Sequence, residues 1–418
     1  MKILFLSAYS YPEHAASSYL GSNRNQALIE NGFDLVNYTP TPCRGVTPEI
    51  RKEYKKRKLD YYYNGHSVVH RFSMFAEGKN PVLRALRYTL VCIKHFNRGI
   101  FAKDARSCDI MFISSTPPIQ GAMAVLVKKI RHIPLVYNLQ DIFPDSLVGT
   151  GLAKKDGLLW KIGRVIENFT YRNADKIIVI SQDFKRNIMA KGVPEEKIEV
   201  IYNWVDEQAV VHIPRAENKL FEKYNLDPNK FYITYCGNIG LTQNMDLLLD
   251  VAKELSSEDN IHFVLVGEGA DKTRVVNRVE NENIKNISFL PFQPYEDISH
   301  VFSLGDAGLI ISKPGVGENS VPSKTWSIMS AECPVIANFD ENEIKTILTD
   351  NSCGIFTKAG DKEAFKNAIL KLYNDREKAV QLGKNGRQFI MENLTREIGT
   401  SKYVEVVKRV FEEKCNKK

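Results

Sequence analysis

Phe231-Tyr232-Ile233-Thr234-Tyr235-Cys236-Gly237-Asn238-Ile239-Gly240 is an apolar, aromatic and β-branched run that breaks into two glycines, and Asp246 to Leu255 behind it carries a helical pattern. A strand that ends in glycine before a helix reads as the opening of a βαβ unit. Glycine at that point lets backbone N–H groups approach a phosphate with no side chain in the way, and the helix N-terminus adds positive potential. Without a ligand the same turn is a tight strand-to-helix connection. The decapeptide alone leaves both readings open.

The same alternation of short apolar strands and longer helical patterns runs outward in both directions. Strands are expected at residues 2–7, 33–38, 67–71, 110–114, 135–138, 176–181 and 199–202, and again at 232–237, 261–267, 287–290, 307–311, 335–337 and 354–356. Repeated strand–helix alternation implies parallel sheets with helices on both faces. The expected fold class is therefore α/β, with two doubly wound, Rossmann-like domains facing each other across a cleft. Residues 1–202 form the first domain and 231–394 the second. Residues 203–230, with two prolines and mixed charge, read as the linker and domain entrance, and 395–418 as a helix that could pack back on the first domain. Ligands of such folds sit at the carboxyl ends of the strands, which directs attention to the turns there.

The turn after residues 307–311 runs Ile311-Ser312-Lys313-Pro314-Gly315-Val316-Gly317-Glu318-Asn319-Ser320-Val321-Pro322-Ser323-Lys324-Thr325-Trp326-Ser327-Ile328-Met329. Pro322 reads as a first helical residue with Ser320 or Val321 as its cap. Lys313 and Lys324 then bracket a helix N-terminus, a cradle suited to a diphosphate, while Glu318 and Asn319 are placed to bond hydroxyls. Solvated loop lysines are the plainer reading. Gly267-Glu268-Gly269-Ala270 lacks the third glycine of a dinucleotide fingerprint and reads as a helix-initiating turn. In the first half, Asp141 follows the strand at 135–138, where a carboxylate either orients or deprotonates a hydroxyl, or caps the turn entering Pro144. His14, in the first loop, is a candidate on the acceptor side or a bystander.

Composition narrows the classes. The chain has 418 residues, 43% hydrophobic and 26% charged, with no apolar run of about 18 residues that could span a bilayer. Lys2 to Leu6 is too short for a signal-peptide core and reads as a buried first strand of a cytoplasmic protein. The seven cysteines form no C-x-x-C pair, which argues against a disulfide framework or a zinc site. Histidines show no H-E-x-x-H, and G-x-S-x-G, Walker and Asp-x-Asp motifs are all missing, so metal-independent chemistry is expected. The net charge of +7 is uneven: residues 1–202 hold 30 basic and 18 acidic side chains, the remainder 27 and 32. An anionic partner for the first half follows from this. On a helix drawn from Pro81 to Phe101, Arg84, Arg87, Lys94 and Arg98 share one arc beside Leu83, Leu86, Leu90, Ile93 and Ile100, the form of a helix lying on an anionic membrane, or of a packed surface helix with a basic edge. The basic clusters lack nucleic-acid recognition motifs, so no nucleic-acid partner is expected.

Together these turns resemble the group 1 family of retaining glycosyltransferases with the GT-B architecture. Asn203-Trp204-Val205-Asp206 is similar to the family's Asn-Gly-Val-Asp junction, Gly237-Asn238-Ile239-Gly240 to its phosphate turn, and Val321-Pro322-Ser323-Lys324 through Met329 to Pro334-Val335-Ile336-Ala337 to its donor-site helix and following strand. Asp141-Ile142-Phe143-Pro144-Asp145-Ser146 resembles the Asp-Leu-Trp-Pro-Glu-Ser run of bacterial O-antigen and capsule enzymes, notably N-acetyl-L-fucosaminyltransferase-like proteins. The family's phosphate-turn Arg and Lys are matched here by Asn238 and Gln243. Its paired glutamates are matched by Asn319, with Glu318 adjacent, and Ser327; its N-terminal histidine is matched by Gln140, and its first-loop glycines by Ala15-Ala16-Ser17-Ser18.

The resemblance implies transfer of a sugar, an N-acetylated hexosamine or deoxyhexosamine, from a UDP-sugar to a polyprenyl-diphosphate-linked saccharide, with retention and with no cofactor. Asp141, Lys324 and Glu318 take the catalytic roles. Gly237, Asn238, Ile239, Gly240, Gln243, Phe292, Gln293, Lys313, Asn319, Ser320, Val321, Ser323 and Ser327 line the donor site, with the uracil near Phe292-Gln293. His14, Ser17, Ser18 and Gln140 face the acceptor. Residues 1–202 would hold the acceptor and 231–394 the nucleotide sugar, at the cytoplasmic surface of an anionic inner membrane. A GT-B sugar-nucleotide epimerase, or an inactive nucleotide-binding partner protein, would use the same cradle.

Overall fold

The computed structural model describes residues 1–13, 18–78, 80–149, 154–317 and 320–416. The chain divides into two compact units, Met1–Tyr202 with Gly399–Lys418, and Asn203–Ile398. Among the described residues the first unit holds eight strands: β1 Lys2–Leu6, β2 Asp34–Pro40, β3 Leu59–Tyr62, β4 Ser67–Phe72, β5 Ile110–Ser114, β6 Leu135–Leu139, β7 Lys176–Val179 and β8 Ile198–Val200. Their order across the sheet is β3-β4-β2-β1-β5-β6-β7-β8, parallel except for β3. Strands such as β1, whose Ile3, Leu4, Phe5 and Leu6 are all buried, show the continuous apolar character of a sheet covered on both faces.

The sequence reading missed β3. It follows the run Lys55-Lys56-Arg57-Lys58, alternates weakly, and gains its partner only through a turn in which Tyr63, Asn64 and Gly65 all take positive φ. A short, charged-flanked antiparallel edge strand carries little period-2 signal. Helices α1 Ser18–Glu30, α2 Pro81–Phe101, α3 Gln120–Arg131 and α4 Leu158–Asn173 connect the sheet, and α3 packs against both α2 and α4. The helix α2 begins where Asn80 caps the N–H groups of Val82 and Leu83 and Pro81 starts the first turn.

The second unit holds β9 Phe231–Cys236, β10 Ile261–Val266, β11 Ile287–Leu290, β12 Ala307–Ile311, β13 Val335–Phe339 and β14 Gly354–Lys358, with helices α5 Met245–Glu254, α6 Lys272–Asn281, α7 Lys324–Ser330 and α8 Arg376–Asn393 among its connections. Its order, β11-β10-β9-β12-β13-β14, is all parallel and reverses direction between β9 and β12. That reversal is the switch point at which doubly wound sheets open a crevice for ligands. In the first unit the equivalent reversal lies between β1 and β5.

Residues 203–230 are no free connector. Trp204 is buried in the second unit, Val211 and Ile213 donate their N–H groups to Ser299 and Ser303 Oγ at 3.0 and 2.9 Å, and Arg215 pairs with Asp306 at 2.6 Å. The last helix, α9 Arg396–Cys415, joins the first unit from Gly399 onward. There Tyr403 OH donates to Asn138 Oδ1 at 3.1 Å, and Lys414 Nζ donates to the Asp109 carbonyl at 2.7 Å.

Candidate donor site and acceptor-side residues

The quoted decapeptide forms β9 and the turn at the switch point of the second unit, and Lys324 opens α7 nearby in the same unit. Lys324 Nζ donates to Tyr235 OH at 2.8 Å and lies 3.9 Å from the centre of the Tyr235 ring. A Cβ on Gly237 would stand 3.2 Å from that nitrogen. The ammonium therefore rests over bare backbone at the end of β9, with an aromatic face as its support. Burial lowers its pKa to about 8, against a smaller upward pull from the Cys236 thiol, which burial itself pushes up to about 12. No carboxylate pairs with Lys324 among the described residues. A half-buried cation at a strand end with no carboxylate beside it is suited to meeting an anion.

Tyr235 was not among the expected site residues. Its hydroxyl accepts from Lys324 and donates to the Asn238 carbonyl at 2.6 Å, so it couples the lysine to the turn. The only sequence signal is a hydroxyl-bearing aromatic one residue before Cys236-Gly237.

The turn amides need correction. Gly237 N donates to the Val266 carbonyl at 2.9 Å, Ile239 N to the Glu268 carbonyl at 2.9 Å, and Gly240 N to Gln243 Oε1 at 3.0 Å. These three N–H groups are held inside the protein and are not free to receive a phosphate. The cause is the Gly267-Glu268-Gly269 turn, which closes onto this one: a Cβ on Gly267 would lie 1.9 Å from the Gly237 carbonyl oxygen, and one on Gly269 2.1 Å from that of Ile239. Two glycine turns zipped backbone to backbone form the floor of the site, and cations supply the charge. Asn238 is exposed above them.

The second turn is fixed from outside. Asp340 accepts the N–H groups of Gly315 and Gly317 at 2.9 and 2.7 Å, and Asn342 Nδ2 donates to the carbonyls of Gly317 and Ser320 at 3.1 and 3.0 Å. Neither residue was singled out in the sequence. Lys313, half-buried, donates its own N–H to the Thr242 carbonyl at 2.9 Å, which joins the two turns. Its charge adds to that of Arg274 in holding the Asp271 carboxyl below its ordinary range. Pro322 is not the first helical residue: α7 starts at Lys324, Ser323 occupies the cap position without a side-chain bond, and Ser320 Oγ donates instead to the Gly317 carbonyl at 3.2 Å. Val321 and Ser327 are half-buried beside it. Phe292 is 77% exposed, whereas the Gln293 side chain turns inward, accepting from Lys223 at 3.0 Å and donating to Tyr224 OH at 2.8 Å. Of that pair only Phe292 presents its side chain to solvent. Glu318 and Asn319 lie outside the described residues, as do His14 and Ser17.

In the first unit Asp141 follows β6 and is exposed, yet the atoms crowded round its carboxyl raise its pKa, with a bond to Ser146 acting in the opposite sense. Gln140 donates its N–H to Ser115 Oγ at 3.1 Å and its side-chain amide to Asn138 Oδ1 at 3.0 Å. Ser18 is the first residue of α1, its hydroxyl 3.5 Å from the Glu13 carbonyl. Buried Glu13 accepts from the N–H groups of Ser10, Cys43 and Arg44 at 3.0, 2.8 and 3.0 Å and so braces the first loop.

The four basic residues of α2 do not act alike. Arg87 is fully buried, donating to the Phe75 carbonyl at 3.1 Å and to Cys43 Sγ at 3.2 Å, and cannot present charge to a surface. Arg84 pairs with Glu77 at 3.2 Å, Lys94 donates to the Ser73 carbonyl at 2.7 Å, and Arg98 is exposed. The apolar residues Leu83, Leu86 and Ile93 face outward, 49–51% exposed. No helix of the described residues is long and apolar enough to cross a membrane, and among them no group of three His, Cys, Asp or Glu is placed to hold a metal ion.

Residues 216–389 match the family model for glycosyl transferases group 1, and residues 25–209 that for glycosyltransferase family 4. Among curated proteins, the chain is 29% identical over 208 residues to a putative colanic acid biosynthesis glycosyl transferase, WcaI, of Escherichia coli, covering 49% of this chain and 51% of that one. It thus spans about half the length of that relative. It is 24% identical to a probable glycosyltransferase, WbjE, of Pseudomonas aeruginosa, covering 74% of this chain and 76% of the other. Among solved structures, Anabaena HepE in complex with UDP superposes with a TM-score of 0.71 at 17% identity, covering 98% of this chain and all of that one. Sucrose-phosphate synthase from Thermosynechococcus elongatus gives 0.75 at 14%, covering 99% of each chain. Two Rossmann-like units with these structural neighbours define the GT-B architecture. The C-terminal half of the chain is similar to the group 1 glycosyl transferases and its N-terminal half to glycosyltransferase family 4.

Proposed function

We propose that the protein moves a sugar, an N-acetylated hexosamine or deoxyhexosamine, from a UDP-sugar to a polyprenyl-diphosphate-linked saccharide, with retention, during surface polysaccharide synthesis at the cytoplasmic face of the membrane. The observation that carries this reading is Lys324, a half-buried ammonium over the bare backbone at the β9 end, with no carboxylate partner among the described residues. As the bond to the diphosphate breaks, charge grows on the leaving oxygens, and Lys324, joined by Lys313, offsets it. The transition state is oxocarbenium-like. No side chain needs a metal to perform this role. Phe292 offers its exposed ring to the base, and Asp141 orients the acceptor hydroxyl, a task its raised pKa suits better than that of a fixed counter-charge.

The names of relatives support the biological setting: colanic acid for the E. coli protein, capsular polysaccharide for CapM of Staphylococcus aureus, and O-antigen for WclY of E. coli. HepE structures with UDP and with UDP-glucose support the donor class. The test is incubation of the full chain with UDP-N-acetylhexosamines and a polyprenyl-diphosphate disaccharide, with NMR of the product anomer. Transfer with the donor's anomeric configuration kept is expected. Interconversion of donor sugars with no acceptor present would replace transfer by epimerisation.

A further inference from the structure

The first unit contains a cavity of about 560 Å³ at the C-terminal half of α2, lined by Lys58, Arg71, Lys94, Asn97, Arg98 and Phe101 among others. Four cations line it and no carboxylate does. Arg71 is neutralised by Asp60 at 2.7 Å, and Lys94 gives a hydrogen to the Ser73 carbonyl. The Lys58 and Arg98 side chains make no hydrogen bond or ion pair among the described residues, and both are exposed toward solvent. Three uncompensated charges in a concave site walled by Phe72 and Phe101 focus positive potential. A negatively charged ligand with several acceptor oxygens spread round one centre satisfies them, as a phosphate group does.

The surface around the cavity indicates where that phosphate comes from. Phe101 in the cavity wall is 73% exposed, and at the opposite end of α2 Val82 is 74% exposed. Neither α2 nor α3 contains an acidic residue, and the one in α4, Glu167, is buried against Lys191 and Arg164. On α3, Leu126 and Ile130 are exposed, and on α4, Leu158, Leu159, Ile162 and Val165. Packed helices that turn leucines outward and carry only basic charge on their exposed sides are built for the interface of an anionic bilayer.

We propose that the Lys58–Lys94–Arg98 cavity binds a phosphate group, supplied by the headgroup of an anionic lipid on which the outward faces of α2, α3 and α4 rest. This deepens the membrane part of the function proposed above and does not depend on the donor chemistry. The test uses the full chain and vesicles of phosphatidylcholine alone or mixed with phosphatidylglycerol. Lys58→Ala/Arg98→Ala is compared with Lys129→Ala/Lys161→Ala, which removes the same charge from α3 and α4, outside the cavity. General charge attraction is worth about 1 kcal/mol per basic residue, so it weakens both pairs equally, on the order of thirtyfold. A phosphate site predicts a further loss of about tenfold for the cavity pair alone. Equal losses, or wild-type binding to phosphatidylcholine alone at the same strength, would overturn it. A second arm adds inorganic pyrophosphate without vesicles. A melting shift present in wild type and diminished in the cavity pair supports the phosphate site; if vesicles do not bind at all, it also overturns the lipid as source. Stabilisation by a UDP-sugar, measured separately, shows whether the transferase reading stands or falls on its own.

Discussion

At the scale of the residue the proposed chemistry rests on Lys324. With a pKa near 8 it is mostly charged at neutral pH, and a bound diphosphate holds the proton on. Affinity for a UDP-sugar should fall about tenfold between pH 7 and pH 9, since only the protonated lysine binds well. Calorimetric titration at the two pH values checks this, and Lys324→Gln should flatten the profile. The stability of the donor-free protein moves the other way: a lysine whose folded pKa lies below its ordinary 10.5 makes the unfolded chain the better proton binder, so its contribution grows as pH rises from 8 toward 10.5. Tyr235→Phe should cost about 1 kcal/mol of stability by urea titration, through the lost bond to the Asn238 carbonyl, and weaken donor binding several-fold. Lysine was legible in the sequence because charge after a glycine-rich loop is conspicuous. Tyr235 was not, because a tyrosine within an apolar strand reads as core.

The glycine turns belong to the scale of the element. Gly267→Ala would drive a methyl into the Gly237 carbonyl, so a loss of at least about 3 kcal/mol is expected, visible as a lower melting temperature; a value under 1 kcal/mol would contradict the zipped floor. The sequence located both turns but not their closure on each other, since that pairing joins residues about thirty apart through β9 and β10. It located the strands by their continuous apolar runs and missed β3, whose partner is set by an unusual turn. Helix α2 shows the limit of periodicity. Its basic arc was legible, but a helical wheel cannot say which side faces the sheet, and Arg87 turned out to be buried while the leucines face outward. Arg87→Ala should therefore lower stability by about 2 kcal/mol and leave vesicle binding unchanged, as cosedimentation and thermal melting together would show.

At the scale of the whole molecule, two Rossmann-like units were legible because strand–helix alternation repeats twice with opposite net charge. The membership of residues 203–230 was not, because their anchoring depends on Ser299, Ser303 and Asp306, about ninety positions away. The proposed division of labour follows: a second unit whose switch point carries a lysine with no carboxylate partner among the described residues, and a first unit whose helices α2 and α3 carry basic charge without acid. The most direct test of that account is the melting temperature of wild type and Lys324→Met against UDP-, GDP- and dTDP-sugars, each with and without EDTA. Saturation with the right donor, at about a hundredfold over its Kd, adds about 2.7 kcal/mol and raises the melting temperature by several degrees. The account predicts that one UDP-sugar does this for the wild type, unaffected by EDTA, and not for Lys324→Met. An equal shift in both proteins, or none with any donor, would contradict it.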